Sequence, residues 1–215
     1  MIDIRILGQN FTLLPERAAF WENTSTLILA DIHLGKSGHF RKSGIATPQQ
    51  VNEANLLRMG RLIKSLSPRR LFILGDLFHS KANKEWFRFE EWRNSYPFLD
   101  CHLITGNHDI LHSSFYKSAN LKTHLILEES GFRFMHHPQE NPAEDLFTFC
   151  GHIHPGVKLT GRGRQNIQLP CYYQKDNQMI LPAFGEFTGL HMLNLQEAEQ
   201  LYVIADKSVI TLRKV

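Results

Sequence analysis

Short apolar, β-prone runs recur along the chain, and each is bounded by residues typical of loops. They lie at residues 27–30, 71–74, 102–105, 132–135 and 148–150. Runs of this length and composition are typical of buried strands. We therefore expect five core strands at these positions.

The segment between the first two runs predicts a helix. Thr47 precedes Pro48 and Gln50, which matches a helix N-cap, a first-turn proline and a capping box. Apolar residues then recur at helical spacing, at Leu56, Met59, Ile63 and Leu66. The helix should end before Pro68. Because strand, helix and strand in this order imply a right-handed crossover and a parallel pair, the N-terminal half is predicted to be α/β.

The pattern changes after about residue 155, where strands are predicted at 168–174, 178–181, 201–204 and 209–213 and helical patterns are few. A mixed or antiparallel β portion should therefore complete the fold. The sequence has no internal repeat, low-complexity tract or linker rich in Gly, Ser or Pro. Since a chain of 215 residues fits one core, residues 1–215 are predicted to form a single domain.

Composition indicates a folded globular protein, with 42% hydrophobic and 21% charged residues. The N-terminus lacks the pattern of a secretory signal, and no apolar stretch reaches the length of about 18 residues that a membrane span requires. We therefore expect a cytoplasmic protein that is not associated with a membrane. The three cysteines form no C-x-x-C pair and are expected to be buried thiols.

A polar cluster follows each of the five predicted strands. The clusters are Asp31-Ile32-His33, Gly75-Asp76, Gly106-Asn107-His108-Asp109, His136-His137 and Gly151-His152-Ile153-His154. One such cluster alone is more typical of a turn or a helix cap. Five at consecutive strand ends predict one site, because ligands bind outside the carboxyl ends of strands in an α/β sheet. Twelve histidines in the chain favour a metal site.

In order, these motifs read D-x-H, G-D, G-N-H-D, a later His, and G-H-x-H, and they resemble the calcineurin-like metallophosphoesterase superfamily. More narrowly, the chain resembles the bacterial DNA-ligase-associated metallophosphoesterases over most of its length. The segments that carry this resemblance are LADIHLGK, FRKSG, LGDLFHS, FMHHP, CGHIHPG and LPAFGEFTG. The resemblance implies an α/β fold, a four-layer α-β-β-α sandwich with mixed sheets.

The resemblance also implies a centre of two divalent metal ions. Two such ions about 3.5–4 Å apart can clamp a phosphate and generate a hydroxide nucleophile, but their mutual repulsion requires an anionic bridge. The resemblance assigns the bridge to Asp76. It completes the first ion with Asp31, His33 and His154, and the second with Asn107, His136 and His152.

Two details of this centre follow from the kind of residue present. Oxygen and imidazole donors without thiolate suit manganese, iron, zinc or nickel, and we expect Mn²⁺. Adjacent strand residues point to opposite faces, so only one of His136 and His137 should enter a given metal shell. The usual placement in the family favours His136.

His108 follows the expected ligand Asn107, at the position where the family places the histidine that protonates the leaving oxygen. We therefore expect His108 to be the general acid. Asp109 has two alternatives, since its carboxylate could orient the imidazole of His108 or could close the turn structurally.

The substrate is harder to predict. Lys and Arg outnumber Asp and Glu in two segments that flank the motifs, which suits a polyanion. The expected contacts lie in predicted loops, at Lys36, Arg41, Lys42, Arg162 and Arg164. His79 could also line the substrate crevice. Helical arginines such as Arg58 and Arg61 are more typical of a solvated face. The helical spacing of Trp86, Phe87, Phe89 and Trp92 is more typical of core than of base stacking.

The leading hypothesis is a metal-dependent phosphodiesterase or nuclease that acts on DNA ends or single strands during repair. The resemblance also implies functional association with an ATP-dependent DNA ligase and a helicase. A second hypothesis keeps the same site but hydrolyses a small nucleotide or another small phosphoester. A third is a non-catalytic binding scaffold, against which the complete ligand set and His108 argue.

Overall fold

A seven-stranded mixed sheet forms the first half of the fold. The computed structural model describes residues 1–35, 50–79, 83–161, 163, 165–186 and 188–212. The strands of this sheet lie side by side in chain order, as β1 (Ile2–Ile6), β2 (Gln9–Leu14), β3 (Ala18–Trp21), β4 (Thr26–Leu29), β5 (Arg70–Leu74), β6 (Asp100–Ile104) and β7 (Leu121–His124). Strands β1 to β4 pair antiparallel, and β4 to β7 pair parallel.

The helices connect strands of this first sheet. They are α1 (Gln50–Leu66), α2 (Lys84–Asn94) and α3 (Ser113–Ser118), and a short 3-10 helix spans Glu22–Thr24. Leu27 pairs in parallel with Leu71 across the β4–α1–β5 unit, which confirms the predicted parallel pair. Helix α1 ends before Pro68 as predicted, while its predicted start at Thr47 and Pro48 lies outside the described residues.

A second mixed sheet of nine strands faces the first. Its strands are β8 (Leu127–Glu129), β9 (Phe132–Phe134), β10 (Phe147–Cys150), β11 (Pro155–Thr160), β12 (Asn166–Lys175), β13 (Gln178–Ile180), β14 (His191–Met192), β15 (Gln200–Ala205) and β16 (Ser208–Leu212). The order is β14-β11-β12-β13-β10-β9-β8, and β15 pairs with β12 and β16. The four strands predicted after residue 155 are therefore confirmed.

Three apolar layers hold the sheets and helices together. Between the sheets, aromatic rings from both pack tightly, as where Phe11 and Trp21 of the first sheet contact Phe132 of the second. Helices α1 to α3 cover the other face of the first sheet. Over the described residues, the outer face of the second sheet packs against the segment at 193–198. The predicted α/β sandwich with mixed sheets is confirmed.

Helix α2 places its aromatic residues as the spacing predicted. Trp86 and Phe89 are fully buried against the first sheet, whereas Phe87 is 54% exposed. Cys101, Cys150 and Cys171 are buried free thiols, as expected. Among the described residues, no helix has the length and apolar character needed to cross a membrane.

The sequence interpretation missed the N-terminal strands. In β1, the isoleucines at 2, 4 and 6 are half-buried, and the intervening Asp3 and Arg5 are exposed. This alternation is typical of a strand with one solvent-exposed face. This period-two pattern was readable in the sequence. The five predicted core strands all exist, but they divide between the sheets: β4, β5 and β6 belong to the first, and β9 and β10 to the second.

Candidate metal centre

The five polar clusters converge at one end of the sandwich, and they come from both sheets. Backbone hydrogen bonds tie the loops together within each sheet, from Asp31 N to Gly75 O (3.1 Å) and from Gly151 N to His136 O (3.0 Å). The His152 N–H then donates to Asp31 Oδ2 at 2.9 Å and so joins the two sheets. The expected convergence on one sheet edge is therefore a convergence of two facing edges.

Several candidate ligands have a strained backbone. Non-glycine residues with positive φ at the site are Asp31 (54°), His33 (51°), Asp76 (51°), His152 (69°) and His154 (54°). This left-handed region is uncommon for residues with a Cβ, and such strain often accompanies function. The turns direct Asp31 with His33, and His152 with His154, into the same crevice.

Three glycines leave the space that the ligands occupy. A Cβ on Gly75 would overlap the ring of His136, and one on Gly106 would overlap the carboxylate of Asp76. A Cβ on Gly151 would lie 2.6 Å from Asp31 Oδ2. Only Gly75 of these three has a positive φ. At the other two positions, glycine is therefore required for close approach and not for turn geometry.

The first half of the candidate centre consists of Asp31, His33 and His154. The Nε2 atoms of the two imidazoles lie 3.2 Å apart, and His154 Nε2 lies 3.5 Å from Asp31 Oδ1. Donor atoms of the three residues lie within 4.8 Å of one another, a spacing that could hold a metal ion. His154 Nδ1 faces the carbonyl of Thr188 at 3.2 Å, which leaves Nε2 free to coordinate.

The second half consists of Asn107, His136 and His152. His136 Nε2 lies 3.2 Å from both Asn107 Oδ1 and His152 Nδ1. His136 Nδ1 faces the carbonyl of Leu74 at 2.9 Å and so carries the proton, which leaves a lone pair on Nε2. Burial lowers the pKa of His152, and the neighbouring imidazole of His137 adds to this, so the neutral, coordinating form is favoured.

Asp76 lies between the two halves and is only 2% exposed. Its Oδ2 is 3.7 Å from His33 Nε2, and its Oδ1 is 3.4 Å from His136 Nε2. One carboxylate therefore presents an oxygen to each half, which is the geometry that a bridge between two cations requires.

The candidate donor atoms face one another as acceptors, an arrangement that a bound cation would stabilise. In neutral rings the coordinating nitrogens carry lone pairs, and they face the oxygens of Asp31 and Asp76, which are acceptors as well. Asp31 Oδ1 is buried without a hydrogen-bond partner among the described residues. A buried carboxylate oxygen in this position costs free energy unless a cation or a proton satisfies it. The His and Asp clusters could therefore hold metal ions.

His136 and His137 occupy different environments. His136 is 2% exposed and its Nε2 points toward Asn107 and Asp76. His137 is exposed, with its ring centroid 4.1 Å from that of His152. Both have a ring nitrogen within reach of the His152 nitrogen, but only His136 faces Asp76.

His108 lies at the mouth of the site, with its side chain 39% exposed and its Nε2 4.0 Å from Asp76 Oδ2. Its backbone N–H donates to Asp76 Oδ1 at 3.0 Å, which fixes the loop against the central carboxylate. The ring of His79 packs 3.9 Å from that of His108, centroid to centroid, and its Nδ1 lies 3.3 Å from His33 Nδ1. His79 therefore lies beside His33 and His108, while its contact with a substrate stays a prediction.

Asp109 has the structural role that the sequence left as an alternative. Its carboxylate accepts hydrogen bonds from the N–H groups of Leu77 (3.0 Å), Phe78 (3.3 Å) and Gly106 (2.9 Å). Among the described residues it makes no hydrogen bond to the imidazole of His108. Burial raises the pKa of Asp109 to about 6, against the lowering effect of these N–H groups. Of the two alternatives for Asp109, these contacts favour the structural one, in which its carboxylate joins two loops, over a catalytic role in orienting the imidazole of His108.

The five expected phosphate contacts all lie outside the described residues, at Lys36, Arg41, Lys42, Arg162 and Arg164. The expectation that Arg58 is on a solvated face is wrong, because its side chain is only 16% exposed and hydrogen-bonds the Phe184 carbonyl. Arg61 is exposed as expected. Sequence reasoning also missed Thr188, although the motif LPAFGEFTG marked its segment.

Other histidines have structural contacts. His102 Nδ1 lies 3.0 Å from His124 Nε2, and the two rings stack at the edge of the first sheet. His112 caps α3 by accepting a hydrogen bond from the Ser114 N–H. Their separation from the crevice agrees with the structural role expected from sequence.

A two-sheet sandwich with paired His and Asp clusters at one end is the arrangement of a class of phosphoester hydrolases. A comparison of the sequence with family models gives the same class. The model of the calcineurin-like phosphoesterase family matches residues 24–177, so this chain belongs to that family and the family prediction is confirmed. The range includes every candidate ligand. A search of curated proteins found no match.

Among solved structures, the chain is similar to the Pseudomonas putida nuclease MPE. The two are 31% identical, the alignment covers 98% of this chain and 99% of the nuclease, and the TM-score is 0.81. More distant matches are protein AQ665 of unknown function from Aquifex aeolicus (18% identity, 65% and 82% coverage, TM-score 0.44) and the Escherichia coli phosphoesterase YfcE (16%, 86% and 96%, 0.47).

Proposed function

We propose that this protein is a two-metal phosphodiesterase that cleaves DNA ends or single strands during DNA repair. The observation that carries the proposal is Asp76, whose two oxygens face two separate clusters at 3.7 Å and 3.4 Å. Similarity to a nuclease over nearly the whole length of both chains supports a nucleic acid substrate.

In the proposed centre, Asp31, His33 and His154 hold one ion, and Asn107, His136 and His152 hold the other, with Asp76 between them. The donors are carboxylate, amide and imidazole without thiolate, a set that suits Mn²⁺ and also accepts iron, zinc or nickel. When bound, two such ions polarise the phosphate and supply a nucleophile near neutral pH.

The protein's own groups complete the reaction. His108 is outside both clusters and half-exposed, so its imidazole is positioned to meet the oxygen that leaves as the ester bond breaks. We assign it the donation of a proton to that oxygen. His79 packs on one face of the imidazole and restricts its orientation. Asp109 keeps the loop that carries His108 joined to the loop after β5.

A substrate panel tests the proposal. The purified protein, freed of metal and reloaded with each divalent ion, is assayed on bis-p-nitrophenyl phosphate, p-nitrophenyl phosphate and end-labelled single- and double-stranded DNA. We expect cleavage of the diester and of DNA, with Mn²⁺ the most effective ion. Hydrolysis confined to the small esters would contradict the nuclease assignment and favour a small phosphoester as substrate. No hydrolysis with any ion would favour a binding scaffold.

A further inference from the structure

The segment that follows β13, described at residues 183–186 and 188, packs against the backbone of the first ligand loop. The Phe184 N–H donates to the carbonyl of Ala30 at 2.8 Å, and the Gly185 N–H donates to the carbonyl of Asp31 at 3.0 Å. A Cβ on Gly185 would lie only 2.6 Å from the carbonyl oxygen of Ile32. The segment therefore sits in direct contact with the strained turn that presents Asp31.

The same segment also reaches His154. Thr188 offers its carbonyl to His154 Nδ1 at 3.2 Å, and its hydroxyl donates to the Gly185 carbonyl at 3.0 Å. Within the described residues, hydrogen bonds from this segment reach ligands of the first half of the centre only. The orientation of one half thus depends on a part of the chain that supplies no ligand.

Two arginines, Arg17 and Arg58, donate hydrogen bonds to the backbone carbonyls of this segment. Arg17 donates to the carbonyls of Ala183 and Gly185 at 3.4 Å and 3.2 Å. These bonds fix the backbone on both sides of residue 184.

Arg58 of α1 makes the larger set of contacts. It donates to the carbonyl of Phe184 and, at 3.1 Å, to the carboxylate of Glu186. Its guanidinium lies 4.2 Å from the centroid of the Phe184 ring. The planar fork of arginine can make these contacts together, which a lysine ammonium cannot.

Helix α1 supports the first ligand loop by a second route. Asn55, three residues before Arg58, is 2% exposed, and its Nδ2 donates to the carbonyl of Ile32 at 3.5 Å. Arg58 in turn donates to Asn55 Oδ1 at 3.4 Å. Arg58 is therefore connected both to the segment behind Asp31 and to the residue between Asp31 and His33.

Holding a guanidinium here is energetically unfavourable by itself. Burial lowers the pKa of Arg58 to about 10, and the nearby charge of Arg17 adds to this, while Glu186 opposes it. Both arginines stay charged near neutral pH. The carbonyls of residues 183–185 and the carboxylate of Glu186 offset part of this cost, although Arg58 Nε has no hydrogen-bond partner among the described residues.

We propose that Arg58 and Arg17 are positioning residues for one half of the metal centre. By holding residues 183–186, they fix the orientation of His154 through Thr188 and the backbone of Asp31, and so set the affinity for one of the two ions. The inference rests on the proposed two-metal function.

Metal binding by Arg58→Met tests this directly, with Arg61→Met as the matched control on the exposed face of the same helix. Metal-free proteins are titrated with Mn²⁺ in a calorimeter, and bound manganese per chain is measured after dialysis. Because loss of groups that orient metal ligands costs about 10–100-fold in affinity, we expect one of two sites in Arg58→Met to weaken by that factor. The other site, and both sites of Arg61→Met, should match the parent.

Double variants identify the weakened half. Arg58→Met combined with His152→Ala should hold no ion after dialysis, whereas Arg58→Met combined with His154→Ala should still hold one. The reverse pattern would overturn the inference, as would Arg58→Met binding two ions with parental affinities. If Arg58→Met does not fold, Arg58→Lys and Arg17→Met decide by the same titration. A parent protein that binds fewer than two ions would instead overturn the proposed function itself.

Discussion

The two halves of the candidate centre are built in different ways. In the second half, His136 is oriented by the carbonyl of Leu74, which belongs to β5 of the first sheet and packs its side chain between the two sheets. In the first half, His154 is oriented by Thr188, and the loop of Asp31 rests on a segment held by Arg17 and Arg58. The second half is therefore oriented by a core strand, and the first half by a segment that Arg17 and Arg58 hold in place.

This difference shows that residues of one contiguous motif can be oriented by different parts of the fold. G-H-x-H supplies His152 to the second half and His154 to the first, two residues apart in the chain. The ring of His152 faces His136, whereas Nδ1 of His154 faces the carbonyl of Thr188, so different elements orient the two imidazoles. We therefore expect the two halves to respond separately to substitution, except at the residue that they share.

The largest effect should come from Asp76→Ala, because this carboxylate faces both halves. We expect both ions to be lost on dialysis and hydrolysis of bis-p-nitrophenyl phosphate to fall to background. Elemental analysis of the purified variant measures the ion content. Two fully occupied sites in Asp76→Ala would show that Asp76 is not the bridge.

A smaller effect should come from terminal ligands, where His152→Ala and His154→Ala form a matched pair. Each should lose one ion and keep the other, since each imidazole belongs to one half. Titration of the metal-free variants with Mn²⁺ measures this. Loss of both ions in either variant would mean that the halves are not independent.

His108→Asn should leave both halves loaded, because its imidazole is outside the two clusters. The rate should fall by about 10²–10⁴-fold, the usual contribution of general acid catalysis. The loss should be largest for DNA, whose leaving alkoxide needs a proton, and smaller for a nitrophenolate ester. Parental cleavage of DNA by a metal-loaded His108→Asn protein would remove His108 from the mechanism.

The smallest effect on the centre should come from Arg41→Ala with Lys42→Ala. Both ions and hydrolysis of the small diester should be unchanged, while cleavage of single-stranded DNA weakens. Each lost phosphate contact should reduce the slope of log affinity against log salt by about 0.7. Binding measured over a salt series tests this. Equal losses on both substrates would indicate that the loop supports the fold or the metals.

Much of this arrangement was readable from the sequence. Short apolar runs predicted β4, β5, β6, β9 and β10, and the polar residues after them predicted where the ligands meet. That the strand ends belong to two facing sheets was not contained in local patterns, because strand pairing depends on long-range contacts. The prediction of a two-sheet sandwich came from the resemblance of the motifs to a known family.

Residues that act through others were the hardest to predict. Arg58 follows Asn55 on a helix and has the spacing of a solvated charge, but its guanidinium meets a segment more than a hundred residues away. Asp109 looks like a partner for His108 because it is adjacent, yet its oxygens are satisfied by backbone N–H groups. Side-chain partners are set by tertiary packing, which adjacency in sequence does not report.

The positive φ angles of the candidate ligands imply a conflict between metal binding and fold stability. A side chain in the left-handed region costs about 1–2 kcal/mol relative to the right-handed one, and glycine avoids this cost. Five ligands adopt it together. Without metal, His154→Gly should therefore unfold at a higher temperature than His154→Ala, which keeps the Cβ, although neither can bind the ion.

The metal-free chain would therefore lose folding free energy at these residues. Glycine at the same positions would remove this cost, and ion binding to the native side chains would offset it. Thermal unfolding in chelator compares the two variants, and equal midpoints would mean that the turns are unstrained. The left-handed turns that direct the candidate ligands therefore make the metal-free fold less stable than the metal-loaded one.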